Sequence, residues 1–227
     1  FLNAVDDNLQ KRFELTSRGE WELAVKLAGR ADFSGGTAHG DEITTNLIAL
    51  VDGRITDITT LTELTDFEEL KLVTTGDLYD PSDNQTIIAV HGCERVFKNG
   101  QLTISQFVDW KVNETLSTCY MSMFPIRKTS GEKVITSHLY NDVNYTPLDL
   151  SGFSQKSVQN ARSVTIYGND GVSATFSLEK YPEGLSGGNK FLVSDNGTND
   201  YHKMYFVVAS NGNVTAGDFW QTKTTYT

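Results

Sequence analysis

From Trp21 onward, apolar and polar residues trade places at every step along the chain. Trp21, Leu23, Val25 and Leu27 alternate with Glu22, Ala24, Lys26 and Ala28. A period of two sends alternate side chains to opposite faces of an extended backbone, which is the pattern of a half-buried strand. Strand-like runs follow at residues 42–51 and 67–73, then three close together between Gln85 and Phe124. Further runs lie at 134–138, 164–167, 173–178, 191–193, 204–208 and 219–226. Ser34-Gly35-Gly36, Asp52-Gly53 and Gly168-Asn169-Asp170-Gly171 punctuate them with turn chemistry. Roughly a dozen short strands at regular spacing, with no amphipathic helix after residue 15, predict an all-β fold. The expected class is a two-sheet jelly-roll sandwich of the concanavalin type. No repeat of fixed period is present, which disfavours a propeller or a β-helix.

The first residues read differently. Leu2, Val5 and Leu9 fall at helical spacing, with Phe13 near the same side. A short N-terminal helical lead over 1–15 is therefore expected, either the end of a helical stem or a linker, with the β-sandwich domain over 16–227. A first residue of Phe1 rather than Met implies a fragment or a processed product.

Charge narrows the partners. The 227 residues carry 29 acidic and 19 basic side chains, a formal net charge of -10. Reading a nucleic acid through its phosphates needs a basic face, and none is visible, so no nucleic-acid partner is expected. No apolar run approaches the length of a membrane span. Cys93 and Cys119 both lie in strand-like runs; two buried free thiols are expected over a disulfide.

Two segments share one motif. Ala38-His39-Gly40-Asp41-Glu42 and Val90-His91-Gly92-Cys93-Glu94 both read His-Gly-x-Glu. Residues three apart in a strand face opposite ways, so each His meets its own Glu only if the glycine opens a bulge or ends the strand. If the two copies share a face, His39, Glu42, His91 and Glu94 form a polar site able to bind sugar hydroxyls or to move a proton. The alternative is two tied-down strand ends. Tyr140, Tyr145, Tyr181 and Tyr201 lie among polar residues, where an exposed ring can stack on a pyranose and its hydroxyl can hydrogen bond. Trp21, Trp110 and Trp220 alternate with apolar residues and are expected in the core. Asp195-Asn196-Gly197-Thr198-Asn199-Asp200 is rich in oxygen ligands that could hold Ca²⁺, although a plain turn fits its spacing better. No Ser-His-Asp order, phosphate-binding glycine loop or zinc spacing occurs.

Two resemblances bear on these residues. Ile88-Ala89-Val90-His91 and Lys203-Met204-Tyr205-Phe206-Val207-Val208-Ala209 resemble strands of the alginate-lyase type of jelly roll. That resemblance implies His91 as general base and Tyr205 as acid. Ala89 stands where that family has the Gln that neutralises the substrate carboxylate, and the Arg-bearing strand is replaced by Ala38-His39-Gly40-Asp41-Glu42, so the likeness favours the fold over the lyase activity. Three other phrases, Gly76-Asp77-Leu78-Tyr79-Asp80-Pro81, Tyr120-Met121-Ser122-Met123-Phe124-Pro125-Ile126-Arg127 and Trp220-Gln221-Thr222-Lys223-Thr224-Thr225-Tyr226, resemble C-terminal domains of tail proteins from phages of Gram-positive bacteria. This second resemblance implies a receptor-binding or baseplate domain on the virion tail. It would act outside the cell on a host cell-wall polysaccharide and be carried as a homotrimer on an N-terminal stem. A polysaccharide-degrading tail enzyme and a purely structural tail domain are the alternatives.

Overall fold

Alternating burial along one strand after another builds two layers. The computed structural model describes residues 2–5, 11–16, 23–35, 42–60, 67–130, 133–134, 136–144, 147–151, 155–168, 173–182, 190–195 and 200–227. In chain order the strands are β1 (Leu2–Val5), β2 (Lys11–Thr16), β3 (Ala24–Leu27), β4 (Glu42–Val51), β5 (Arg54–Ile55), β6 (Glu69–Tyr79) and β7 (Ile87–Lys98). Next come β8 (Gln101–Trp110), β9 (Glu114–Arg127), β10 (Thr129–Ser130), β11 (Lys133–Val134), β12 (His138–Asn141), β13 (Leu148–Asp149) and β14 (Gln155–Gln159). The last are β15 (Ser163–Tyr167), β16 (Ser173–Lys180), β17 (Lys190–Asp195), β18 (Tyr201–Ser210), β19 (Asn213–Val214) and β20 (Phe219–Tyr226).

Ten of them form one antiparallel sheet in the order β13-β12-β15-β16-β20-β8-β7-β6-β4-β5. A second sheet runs β14-β17-β18-β9-β19, with β3 also paired to β9. The strands β4, β6, β7 and β8 pair in succession as a meander, in which tight turns close β4–β5 and β7–β8. Asn99 (φ 52°) and Gly100 (φ 73°) make the β7–β8 turn, and Asp52 (φ 49°) with Gly53 (φ 76°) makes the β4–β5 turn. Two successive residues with positive φ match the twist of a two-residue hairpin, which is why Asn or Asp followed by Gly stands there. From β8 the chain crosses to β9 in the second sheet, and the later crossings start at the far end with β14 and β15 and work back toward that pair. Thus β8 and β9 lie next to β20 and β18, then β16 and β17, then β15 and β14.

The core between the sheets falls into two clusters. Along β8, Leu102 and Ile104 join Phe124, Phe176, Phe191, Phe206 and Tyr226 in one. Val108 and Trp110 join Leu23, Leu78, Met121 and Trp220 in the other. Trp110 and Trp220 meet edge to face at 5.1 Å, the expected core role for both rings. Cys93 and Cys119 are free and buried, as expected. Trp21 lies outside the described residues.

All-β composition and a two-sheet sandwich therefore hold. The helical lead does not: Leu2–Val5 and Lys11–Thr16 pair as antiparallel strands. Only three apolar positions carried the helical period, too short a run to outweigh the cost of nucleating a helix.

Candidate functional site

A polar seam separates the two core clusters. On β7, His91 sits between Ala89 of one cluster and Cys93 of the other and is buried. Its Nδ1 lies 2.8 Å from Oε1 of Glu42 and its Nε2 lies 3.4 Å from Nε2 of Gln106. The Gln106 amide nitrogen can only donate, so His91 Nε2 accepts and Nδ1–H donates to the Glu42 carboxylate. Oε1 of Gln106 accepts from the Ser122 backbone N–H (2.9 Å) and from its hydroxyl (3.1 Å). The Ser122 hydroxyl accepts in turn from Thr224 at 3.0 Å, and the Tyr226 hydroxyl donates to the Ser122 carbonyl at 2.9 Å. Ser122 has a positive φ of 55°, which places its side chain and carbonyl for these contacts. The chain of hydrogen bonds runs from the edge of the large sheet to the second sheet.

The two His-Gly-x-Glu segments thus meet crosswise: His91 of the second pairs with Glu42 of the first. Gly76 on β6 lies between them, in register with both Thr44 and His91. A Cβ on Gly76 would stand 3.0 Å from the Ile43 carbonyl oxygen and 3.1 Å from Glu42 Oε1. Absence of a side chain at Gly76 is what lets Glu42 reach over β6 to His91. The sequence motif did not point to this glycine; its place opposite the histidine becomes legible only once the strand register is known.

Glu94 does not join them. The β7 register is regular through Gly92, so Glu94 points to the other face of the sheet and pairs with Lys71 at 3.2 Å. Gly92 opens no bulge. It is covered instead by the Phe107 ring, whose nearest carbon would lie 1.9 Å from a Cβ there. His39 and Tyr145 lie outside the described residues.

The proposed proton donor is also elsewhere. Met204 and Phe206 face the interior, so Tyr205 between them points the other way, into a separate cluster with Met123, Leu192 and Val207. Burial pushes its phenol up to about 12. With both ring nitrogens of His91 engaged inside the sandwich, the described residues do not bring base and acid to one substrate. Tyr201 is buried at the start of β18, paired with Arg127, rather than exposed in a loop. In the oxygen-rich segment, Asp195 accepts a hydrogen bond from Lys128 at 2.6 Å, while residues 196–199 lie outside the description.

Tyr140 is exposed, as expected, and does not stand alone. Its ring stacks on Tyr167 at 5.0 Å, and His138 stacks on the same ring at 5.4 Å. The strand alternation puts this rank on the outer face of the ten-stranded sheet, away from the second sheet. Paired hydroxyls continue the face inward: Thr165 with Thr175 (3.0 Å), Ser163 with Ser177 (3.4 Å) and Thr103 with Thr225 (3.4 Å). At its far side Phe107 stacks on the exposed Phe219 at 5.4 Å. From β12 to β8 the face spans four strand spacings, roughly 19 Å.

The fold and this outer face define a two-sheet β-sandwich. No protein family matches the chain, and no curated protein matches it. Among solved structures it is similar to the galactosidase domain of an alpha-galactosidase-sucrose kinase, with a TM-score of 0.52 at 7% identity over 96% of this chain. It spans 32% of that structure, and at such identity the likeness is one of fold alone. A protein of Synechocystis overlays with a TM-score of 0.42 at 7% identity, over 73% of this chain and 63% of that one. Among the described residues no helix is long and apolar enough to cross a membrane.

Proposed function

We propose that this chain is a host-recognition domain of a phage tail or baseplate that binds a saccharide on the surface of a Gram-positive cell. The observation that supports saccharide binding is the outer sheet face, where the Tyr140–Tyr167–His138 rank adjoins rows of paired Ser and Thr hydroxyls. Aromatic rings offer flat apolar contact to a pyranose, and hydroxyls on a rigid sheet can exchange hydrogen bonds with sugar hydroxyls at little ordering cost. The sandwich fold it shares with a galactosidase domain is compatible with such a role. Support for the tail assignment comes from the sequence phrases beginning at Gly76, Tyr120 and Trp220, and the crossing pattern between the sheets supports the jelly-roll class.

Recognition is favoured over turnover because His91 is enclosed and Tyr205 points away from the sheet that carries it. Pull-down of the chain on purified Gram-positive cell walls tests the proposal. Wild type is retained and Tyr140→Ala is retained at least several-fold less; failure to bind any wall saccharide would sink it. Release of new reducing ends or unsaturated sugars from the same walls would favour the enzyme instead.

A further inference from the structure

Two hollows that share Lys180 and Gln221 open beyond the hydroxyl rows, the first at the end of β16 where Tyr181 turns in toward the second sheet. One, about 600 Å³, is lined by Arg162, Glu179, Lys180, Tyr181, Phe219 and Gln221 among others. The other, about 460 Å³, shares Lys180 and Gln221 with it and adds Glu94, Ser105, Phe107 and Lys223. The charges in this groove are unevenly matched. Glu179 accepts from Lys223 and Thr225, and Glu94 pairs with Lys71, so both carboxylates are neutralised. Lys180 instead donates to the uncharged amide oxygen of Gln221, and the Arg162 guanidinium lies over the Tyr181 ring at 4.5 Å. The Tyr181 hydroxyl is anchored on the Val208 carbonyl at 3.0 Å, which fixes the ring that holds Arg162 in place. Both carboxylate oxygens of Asp142 accept from the Arg162 backbone N–H, at 3.0 and 3.1 Å. Among the described residues neither the Lys180 ammonium nor the Arg162 guanidinium has a carboxylate partner.

Two cations that pair with no carboxylate among the described residues therefore flank an exposed phenyl ring in a chain of net charge -10. A ligand that answers all three features presents an apolar ring face to Phe219 and an oxyanion to Lys180 and Arg162. We infer that this groove is a subsite for an acidic sugar residue, one bearing a carboxylate or a phosphate, within the saccharide bound on the outer face. The inference rests on the proposed saccharide binding and specifies where along the face charge is read. Arg162 supplies a planar fork suited to either oxyanion, and Lys180 supplies a movable point charge beside it. Glu179, held by Lys223 and Thr225, leaves the phenyl ring as the neutral floor of the groove.

The test is a glycan array that carries uronate-containing and phosphate-bearing oligosaccharides, each beside its neutral counterpart, probed with wild type, Lys180→Gln, Arg162→Gln and Phe219→Ala. Wild type is expected to favour acidic members over their neutral partners, with the preference weakening as salt is raised. Each charge substitution should lower affinity for acidic members by about tenfold, the order of one charge-assisted hydrogen bond, and leave neutral members unchanged. Phe219→Ala should weaken both. Uronate and phosphate arms report which oxyanion the groove takes. Equal binding of acidic and neutral members, or an acidic preference untouched by the two charge substitutions, overturns the subsite and leaves saccharide binding standing. Binding to no member overturns both. The substituted side chains sit at the surface, so circular dichroism of each variant should match wild type.

Discussion

Gly76 shows how one missing side chain sets a polar contact. With a methyl group there, Glu42 and the Ile43 carbonyl must shift by several tenths of an ångström, and the Glu42–His91 bond opens. Gly76→Ala is expected to destabilise the fold by about 1–3 kcal/mol, the usual range for overpacking a fitted site. Urea unfolding checks it, and a midpoint equal to wild type would contradict the steric reading. His202 makes a second residue-level prediction. Burial holds its pKa down to about 4 against an ordinary 6.5, with the Asp195 carboxylate acting upward and Lys128 downward. The unfolded imidazole takes a proton near pH 6.5, whereas the folded one resists until about pH 4. The unfolded state therefore binds more protons in that window, so stability is full above pH 6.5, falls as pH drops toward 4 and then levels. On the order of 3 kcal/mol should be lost there, and His202→Gln should flatten that part of a Tm-versus-pH curve.

At the scale of the strand, much was legible in the sequence. Residues 42–51 were expected as a strand and form β4 with those bounds. The run at 67–73 was recognised, but β6 continues to Tyr79 because Thr74, Thr75 and Gly76 break the apolar pattern without breaking the ladder. Alternation tells which side chains share a face within one strand, and that is why Trp110 and Trp220 were placed in the core. It does not give register between strands. Hence the pairing of His91 with Glu42 rather than Glu94, and the position of Tyr205 on the far side of the second sheet, lay beyond it. Tyr140 was found because an aromatic among polar neighbours signals exposure, while Tyr167 and Phe219 hid inside strand-like runs. The seam itself predicts a cost: Gln106→Leu leaves the Ser122 N–H and His91 Nε2 without their partner inside the sandwich. Loss of about 2–3 kcal/mol is expected from stranding such buried groups, and an unchanged stability would mean that the seam is energetically idle.

For the molecule as a whole, the two sheets enclose both cysteines, one in each core cluster. Burial pushes the Cys93 thiol up to about 11 and raises Cys119 further. Neither should react with an aromatic disulfide reagent in the native protein at neutral pH, and both should titrate after denaturation. Rapid labelling of the native chain would show that the sandwich opens far more readily than this packing implies.

His91, Gln106, Ser122 and Thr224 join the two sheets from inside, and the proposed saccharide binding falls instead on the outer face of the large sheet. Hydrogen exchange with and without a purified Gram-positive wall saccharide tests that division directly. Protection confined to peptides from β12, β15, β16 and β20, and lost in Tyr140→Ala, is the result expected. Protection of the β7 segment around His91, with the outer strands unchanged, would contradict it.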